Sequence, residues 1–82
     1  MNIANIRCLA EAGHGYAALQ KAEQALIEGR IPEIDVPGDT VDDKLTTLLA
    51  ACWMIKHMET TGCTSTMAMR DYIAMVRRSI SS

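Results

Sequence analysis

The stretch from Thr40 to Gly62 restricts what this chain can fold into more than any other part of it. Thr40 can cap a helix, with Asp43 three residues on as a capping-box partner. Asp42 and Asp43 also suit the positive end of a helix dipole, and Gly62 supplies a left-handed stop. The spacing therefore predicts one helix over residues 40–61. Val41, Leu45, Leu48, Leu49, Cys52 and Ile55 form its central apolar stripe. The apolar residues overflow that stripe. With successive residues about 100° apart, Trp53 sits about 120° from the stripe's centre and Met54 about 140°. Ala50 lies between them, and Met58 is on the near edge. From Leu48 to Met58 only Lys56 and His57 are polar. A helix that is apolar nearly all round is a buried helix.

The rest of the chain has to supply the cover. A first helical segment is expected from about residue 2 to residue 28. Leu9, Ala12, Tyr16, Leu19, Leu26 and Ile27 share one side, while Arg7, Glu11, His14, Lys21 and Glu28 share the other. Ala-, Glu-, Gln- and Lys-rich composition supports helix from Ala17 to Glu28, and Gly29 is a natural stop. Gly13 and Gly15 are the weak point, costing about 1 kcal/mol each against Ala. They either let another backbone come close or split the helix near His14; a contact through small residues, with His14 facing solvent, is the plainer expectation. Residues 29–39 form a connector in which Pro32 and Pro37 exclude helix, and Ile31, Ile34 and Val36 are expected to pin it down. A last helix is predicted over residues 65–80. Thr64, Ser65 and Thr66 are its alternative caps, and Met69, Tyr72, Ile73, Val76 and Ile80 its apolar side.

These elements make a small all-α, three-helix domain at residues 1–82: a long α-hairpin plus a shorter C-terminal helix. Two flanking helices cannot cover a helix that is apolar on every side. The uncovered part, centred on Ala50, Trp53, Met54 and His57, is expected to meet a second copy of the chain or another protein, with the connector as the alternative cover. Trp is enriched at interface hot spots. Homodimerisation is thus the expected completion of the fold.

Composition narrows the function classes. With 82 residues and a net charge of −2, the chain has no general attraction to nucleic acid or to an anionic membrane. Only Tyr16, Trp53 and Tyr72 are aromatic, so the core must be aliphatic and methionine-rich. Cys8, Cys52 and Cys63 are an odd number without framework spacing, which argues for reduced thiols in a cytoplasmic protein. No secretory signal is visible, and the longest apolar run, Leu48 to Ile55, is far short of the roughly 18 residues a membrane span needs.

The chemistry-bearing residues do not assemble into a site on spacing alone. No metal, cofactor or catalytic residue is assigned. There is no Cys-x-x-Cys pair, and Cys52 and His57 point about 140° apart on a helix. Glu11 with Glu28, and Asp42 with Asp43, are explained as exposed or dipole-complementing charge. Glu23 falls inside the apolar arc of the first segment, where it either reaches past the edge to water or faces a cation such as Lys56. Arg70, Arg77 and Arg78 give the last helix a basic flank, a second candidate contact patch. The expected function is a non-catalytic protein–protein interaction module of the antagonist or adaptor type, such as phages and other mobile elements carry. The alternative is a small helix–turn–helix-like DNA-binding regulator acting through the last helix, although that helix lacks the Asn, Gln and further cations that base-edge and phosphate contacts use.

Overall fold

The structure is a computed structural model that describes residues 3–81, and the expected helix start at residue 2 lies outside that range. It is all-α, with no strand among the described residues: α1 (Ile3–Glu11), α2 (Tyr16–Ile27), α3 (Val41–Thr61) and α4 (Ser65–Ser81). Four helices stand where three were expected, because the first segment is split.

The split is made by backbone conformation. Gly13 and Gly15 have φ of 80° and 83°, a region where any side chain is strained. Gly15 also has ψ of 160°. An added Cβ at either glycine would meet nothing within 4 Å. The expected small-residue contact is therefore not what these glycines provide; they turn the chain. The other helix ends follow the sequence signals. Gly29, at φ 78°, closes α2 in a Schellman arrangement, with Arg30 N–H donating to the Ala25 carbonyl at 2.7 Å and Gly29 N–H to that of Leu26 at 3.1 Å. Thr40 Oγ1 accepts from Asp43 N–H at 3.1 Å. Gly62 N–H donates to the Met58 carbonyl at 2.8 Å. Of the three candidate caps for α4, Thr64 serves, its Oγ1 accepting from Met67 N–H at 3.3 Å.

Splitting the first segment changes how α3 is covered. α3 packs against α1, α2 and α4, and α1 also touches α4, so α1 fills the angle between α3 and α4. Three elements rather than two surround the apolar helix. Tyr16 at the start of α2 lies by Lys56 near the end of α3, so these two helices run antiparallel. The radius of gyration is 12.4 Å, close to the roughly 12 Å expected for a folded chain of this length.

The buried side of α3 is not the expected one. Leu48, Ala50, Ala51 and Met54 are fully buried, with Thr47 and Cys52 nearly so. Val41 and Leu49, members of the expected stripe, are 53% and 54% exposed. The true core face is rotated by about a quarter turn from the apolar maximum. It carries small residues at its centre, so the neighbouring helices come in close, and large ones (Leu48, Met54) at its flanks. Thr47 joins it at no polar cost because its Oγ1 donates to the Asp43 carbonyl at 2.8 Å. Ile6, Leu9, Leu19 and Leu26 complete the core. Each large aliphatic side chain so enclosed contributes about 1.5–3 kcal/mol. Of the connector's three aliphatics, Val36 is buried, Ile34 is half-buried against the core, and Ile31 is 93% exposed. The arm is pinned at one end only.

Candidate functional site

The open side of α3, the strip left between α2 and α4, gathers every aromatic side chain of the protein. Trp53 stacks on His57 one turn later, ring centroids 4.5 Å apart and planes 16° from parallel. Tyr72 of α4 meets the indole at 5.5 Å and 56°. His57 Nε2 donates to Asp71 Oδ2 at 2.7 Å, which ties α3 to α4 beside the stacked rings. On the other flank Lys56 Nζ stands 5.2 Å above the Tyr16 ring, and Gln20 Nε2 donates to Tyr16 Oη at 2.9 Å. Trp53, His57, Tyr16 and Tyr72 are all half-buried. A shallow depression of about 190 Å³ lies beside the indole, bounded by Lys56, His57 and Thr60. Leu49, one turn before Trp53, extends the strip with an exposed aliphatic side chain.

The helix frame explains why these residues meet. Positions 49, 53, 56 and 60 lie on one side of an α-helix. His57 sits on the edge nearest α4 and Lys56 on the edge nearest α2. Each aromatic is therefore packed in part and wet in part, the disposition that Trp and Tyr adopt at protein contacts. Chemically the strip is a rigid, amphipathic surface with donors on its rim. An imidazole oriented by a carboxylate is also a general-base geometry, but that role needs a cleft that excludes water. Here Asp71 is 49% exposed and the adjoining depression is shallow.

One family model matches the chain over residues 1–81. The protein belongs to DUF6952, a family of unknown function. No curated protein and no solved structure matches this DUF6952 chain. No helix among the described residues is long and apolar enough to cross a membrane.

The sequence-derived patch survives in this DUF6952 member only in part. Trp53 and His57 are brought together at the surface. Ala50 and Met54, expected beside them, are fully buried, because α1 occupies the angle that two flanking helices would have left open. Arg70, Arg77 and Arg78 are all exposed on α4, but they do not form one patch. Arg70 and Arg77 line up along the helix, and Arg78 is turned from them by about a quarter turn. Glu23 forms no ion pair among the described residues. Its charge bears instead on Cys52, whose thiol is pushed up mainly by burial and further by that carboxylate. Lys56, the cation expected to meet Glu23, is over Tyr16.

A second polar cluster joins α1 to α4. Ser65 Oγ donates to Glu11 Oε1 at 2.7 Å. Arg7 Nε donates to the same oxygen at 3.2 Å, and Arg7 Nη2 to Thr66 Oγ1 at 3.2 Å. The Ser65 hydroxyl, then Arg7, hold the Glu11 carboxyl below its usual range. This is a structural clasp. The hydroxyls of Ser65 and Thr66, expected only as alternative caps, serve it while Thr64 caps. Among the described residues no three potential ligands gather around a metal site, and the three cysteines are unbridged. The Trp53–Tyr72 contact and the His57–Asp71 pair escaped sequence reasoning, since each joins residues of two helices whose relative rotation no spacing gives.

Proposed function

We propose that this protein is a partner-binding module that works through the strip of Leu49, Trp53, Lys56, His57, Tyr16 and Tyr72. The observation that carries this reading is the convergence of all three aromatics, from three helices, on the one side of α3 that the chain leaves open. A fold with so few aromatic side chains would gain most by burying them in its core. Keeping them at the surface, rigidified by stacking and by the His57–Asp71 bond, suits a contact surface whose side chains lose little entropy on binding. Self-association through the same strip is the simplest form of that contact.

The helix–turn–helix alternative draws less support. Its three arginines are divided between two sides of α4, and duplex binding needs several phosphate contacts along one face.

Two measurements test the proposal. Light scattering over a range of concentrations reads self-association, and affinity capture from cytosol of the source cells reads other partners, each with Trp53→Ala as the control. Loss of a dimer or of a captured protein on removing the indole supports the strip. A strict monomer whose captured proteins are unchanged by Trp53→Ala refutes it. Binding of duplex DNA at low salt, abolished by Arg70→Ala with Arg77→Ala, would move the function to α4.

A further inference from the structure

The open side of α3 carries a second pattern, in its charges. Asp42, Thr46, Leu49, Trp53, Lys56 and Thr60 follow one another at alternate spacings of four and three residues, all exposed except the half-buried Trp53. That alternation keeps two helices in contact along their length. The line runs for about 27 Å at the helical rise per residue. Its large apolar pair, Leu49 and Trp53, stands at the middle, with Asp42 before it and Lys56 after it. The two threonines ask nothing polar of a partner. Thr46 Oγ1 donates to the Asp42 carbonyl at 3.0 Å, and Thr60 Oγ1 to that of Lys56 at 2.9 Å. The other charged side chains of α3, Asp43, Lys44 and Glu59, lie a quarter turn or more off this line.

Neither charge on the line is answered within the chain. Asp42 and Lys56 stand about 21 Å apart along one helix. Neither is in an ion pair among the described residues, and Lys56 has the Tyr16 ring 5.2 Å away. A line that is acidic at one end, apolar at the centre and basic at the other is complementary to its own reverse. Two copies laid antiparallel, about an axis midway between Leu49 and Trp53, set each Leu49 against the other's Trp53. Each Asp42 then comes within about 6 Å of the other's Lys56 along the axis, a gap that the four-carbon lysine stem spans. Laid parallel, the copies would set acid against acid and cation against cation, which costs affinity.

We infer that the occupant of the strip is a second copy of this chain, held α3 against α3 and antiparallel, with Asp42 of each protomer paired to Lys56 of the other. This pairing rests on the strip being a contact surface, and it adds the occupant, its direction and its register.

Charge reversal tests the pairing, with light scattering over a range of concentrations as the readout. Asp42→Lys alone opposes cation to cation at both ends, and Lys56→Asp alone opposes acid to acid. Each variant should therefore dimerise about tenfold more weakly than the parent. Mixed in equal amounts, the two variants should regain the parent's affinity, because opposite charges meet again at both ends. Recovery on mixing also shows that both variants fold. Variants that keep the parent's circular dichroism and stay weak when mixed overturn the pairing. So do variants that dimerise as tightly as the parent, which is what a parallel pair would give. A dimer that Trp53→Ala dissolves and neither charge reversal touches keeps the strip as a contact surface and overturns its antiparallel pairing. A parent that stays monomeric overturns the second copy as occupant, and affinity capture alone then judges the strip. A dimer indifferent to Trp53→Ala and to both reversals forms elsewhere and overturns the pairing together with self-association through the strip.

Discussion

Leu49 and Ala51 are two residues apart on α3, yet one is 54% exposed and the other wholly enclosed. The side through Thr47, Ala51 and Met54 and the side through Leu49, Trp53 and Lys56 are both apolar enough to be core. What separates them is size and approach. Small residues at the middle of the first side let α1 and α2 come close, and the large residues of the second would hold any helix at a distance. Hydropathy says how much of a helix wants cover. Side-chain volume decides which part of it the chain's own helices can reach.

The contrast is most open to attack at Met54. Met54→Ala should cost about 2–5 kcal/mol, the usual range for emptying a filled core site. Leu49→Ala should change stability by about 0.5 kcal/mol or less, as exposed substitutions do. Urea unfolding of both variants reads the difference as a fall in midpoint for one and not the other. Equal losses would mean that Leu49 is covered in solution, by a second copy or another element, and the two sides of α3 would no longer differ.

Gly15 comes next, because the turn it makes is what provides α3 with a third covering helix. With φ at 83° and ψ at 160° it occupies a region nearly reserved for glycine, and Gly15→Ala should cost about 1–3 kcal/mol. No atom lies within 4 Å of the added Cβ, so the loss is backbone strain alone. A gain in stability together with more helix by circular dichroism would show that α1 and α2 can fuse and still cover the core. Ala51→Leu tests the close approach directly. Over-packing there should cost about 1–3 kcal/mol, and a neutral result would mean that the small-residue face has slack.

Much of this architecture was legible in the residues. The helix ends at Gly29, Thr40 and Gly62 follow from caps and stops, whose chemistry is local. The rotation of α3 was not legible, since Val41, Leu45 and Leu49 outvote Ala50 and Ala51 on any hydropathy scale. The split at Gly13 and Gly15 was open between two outcomes, and choosing wrongly left Ala50 and Met54 without cover. The site was half legible: Trp53 and His57 stand out as apolar and polar misfits on one helix. Their partners Tyr72 and Asp71 depend on how α4 is turned against α3, which is settled only by packing.

A smaller effect is expected at the clasp between α1 and α4. Glu11 is held below its usual range by the Ser65 hydroxyl and then Arg7. A carboxyl depressed in the folded state contributes stability above its unfolded value, about 4.3, and that contribution is lost as pH falls through the lower folded value. Urea midpoints should therefore drop on acidification below about pH 4, and Glu11→Gln should flatten part of that slope. A slope untouched by Glu11→Gln would show that the clasp does not couple α1 to the fold. The residues that α3 buries should be silent in this window, because the titrating group among them, the raised Cys52 thiol, responds at alkaline pH. Alkylation makes the same distinction: exposed Cys8 should react with iodoacetamide first, and Cys52 only on unfolding.

The least change in stability, and the most telling one, is expected from Leu49→Lys. On the open side of α3 a lysine can keep its stem along the apolar strip and its ammonium in water, so the unfolding midpoint should stay within about 0.5 kcal/mol of the parent. If the strip is a contact surface, the same change places a charge one turn from Trp53 at the centre of that contact. Unpaired charge there is costly to desolvate, so association should weaken at least tenfold while the fold is untouched. Stability and association would then part company at one residue. Should both stay at the parent value, Leu49 lies outside any contact and the strip shrinks to Trp53 and its ring partners; should both fall, the residue is core in solution, and the two sides of α3 are alike after all.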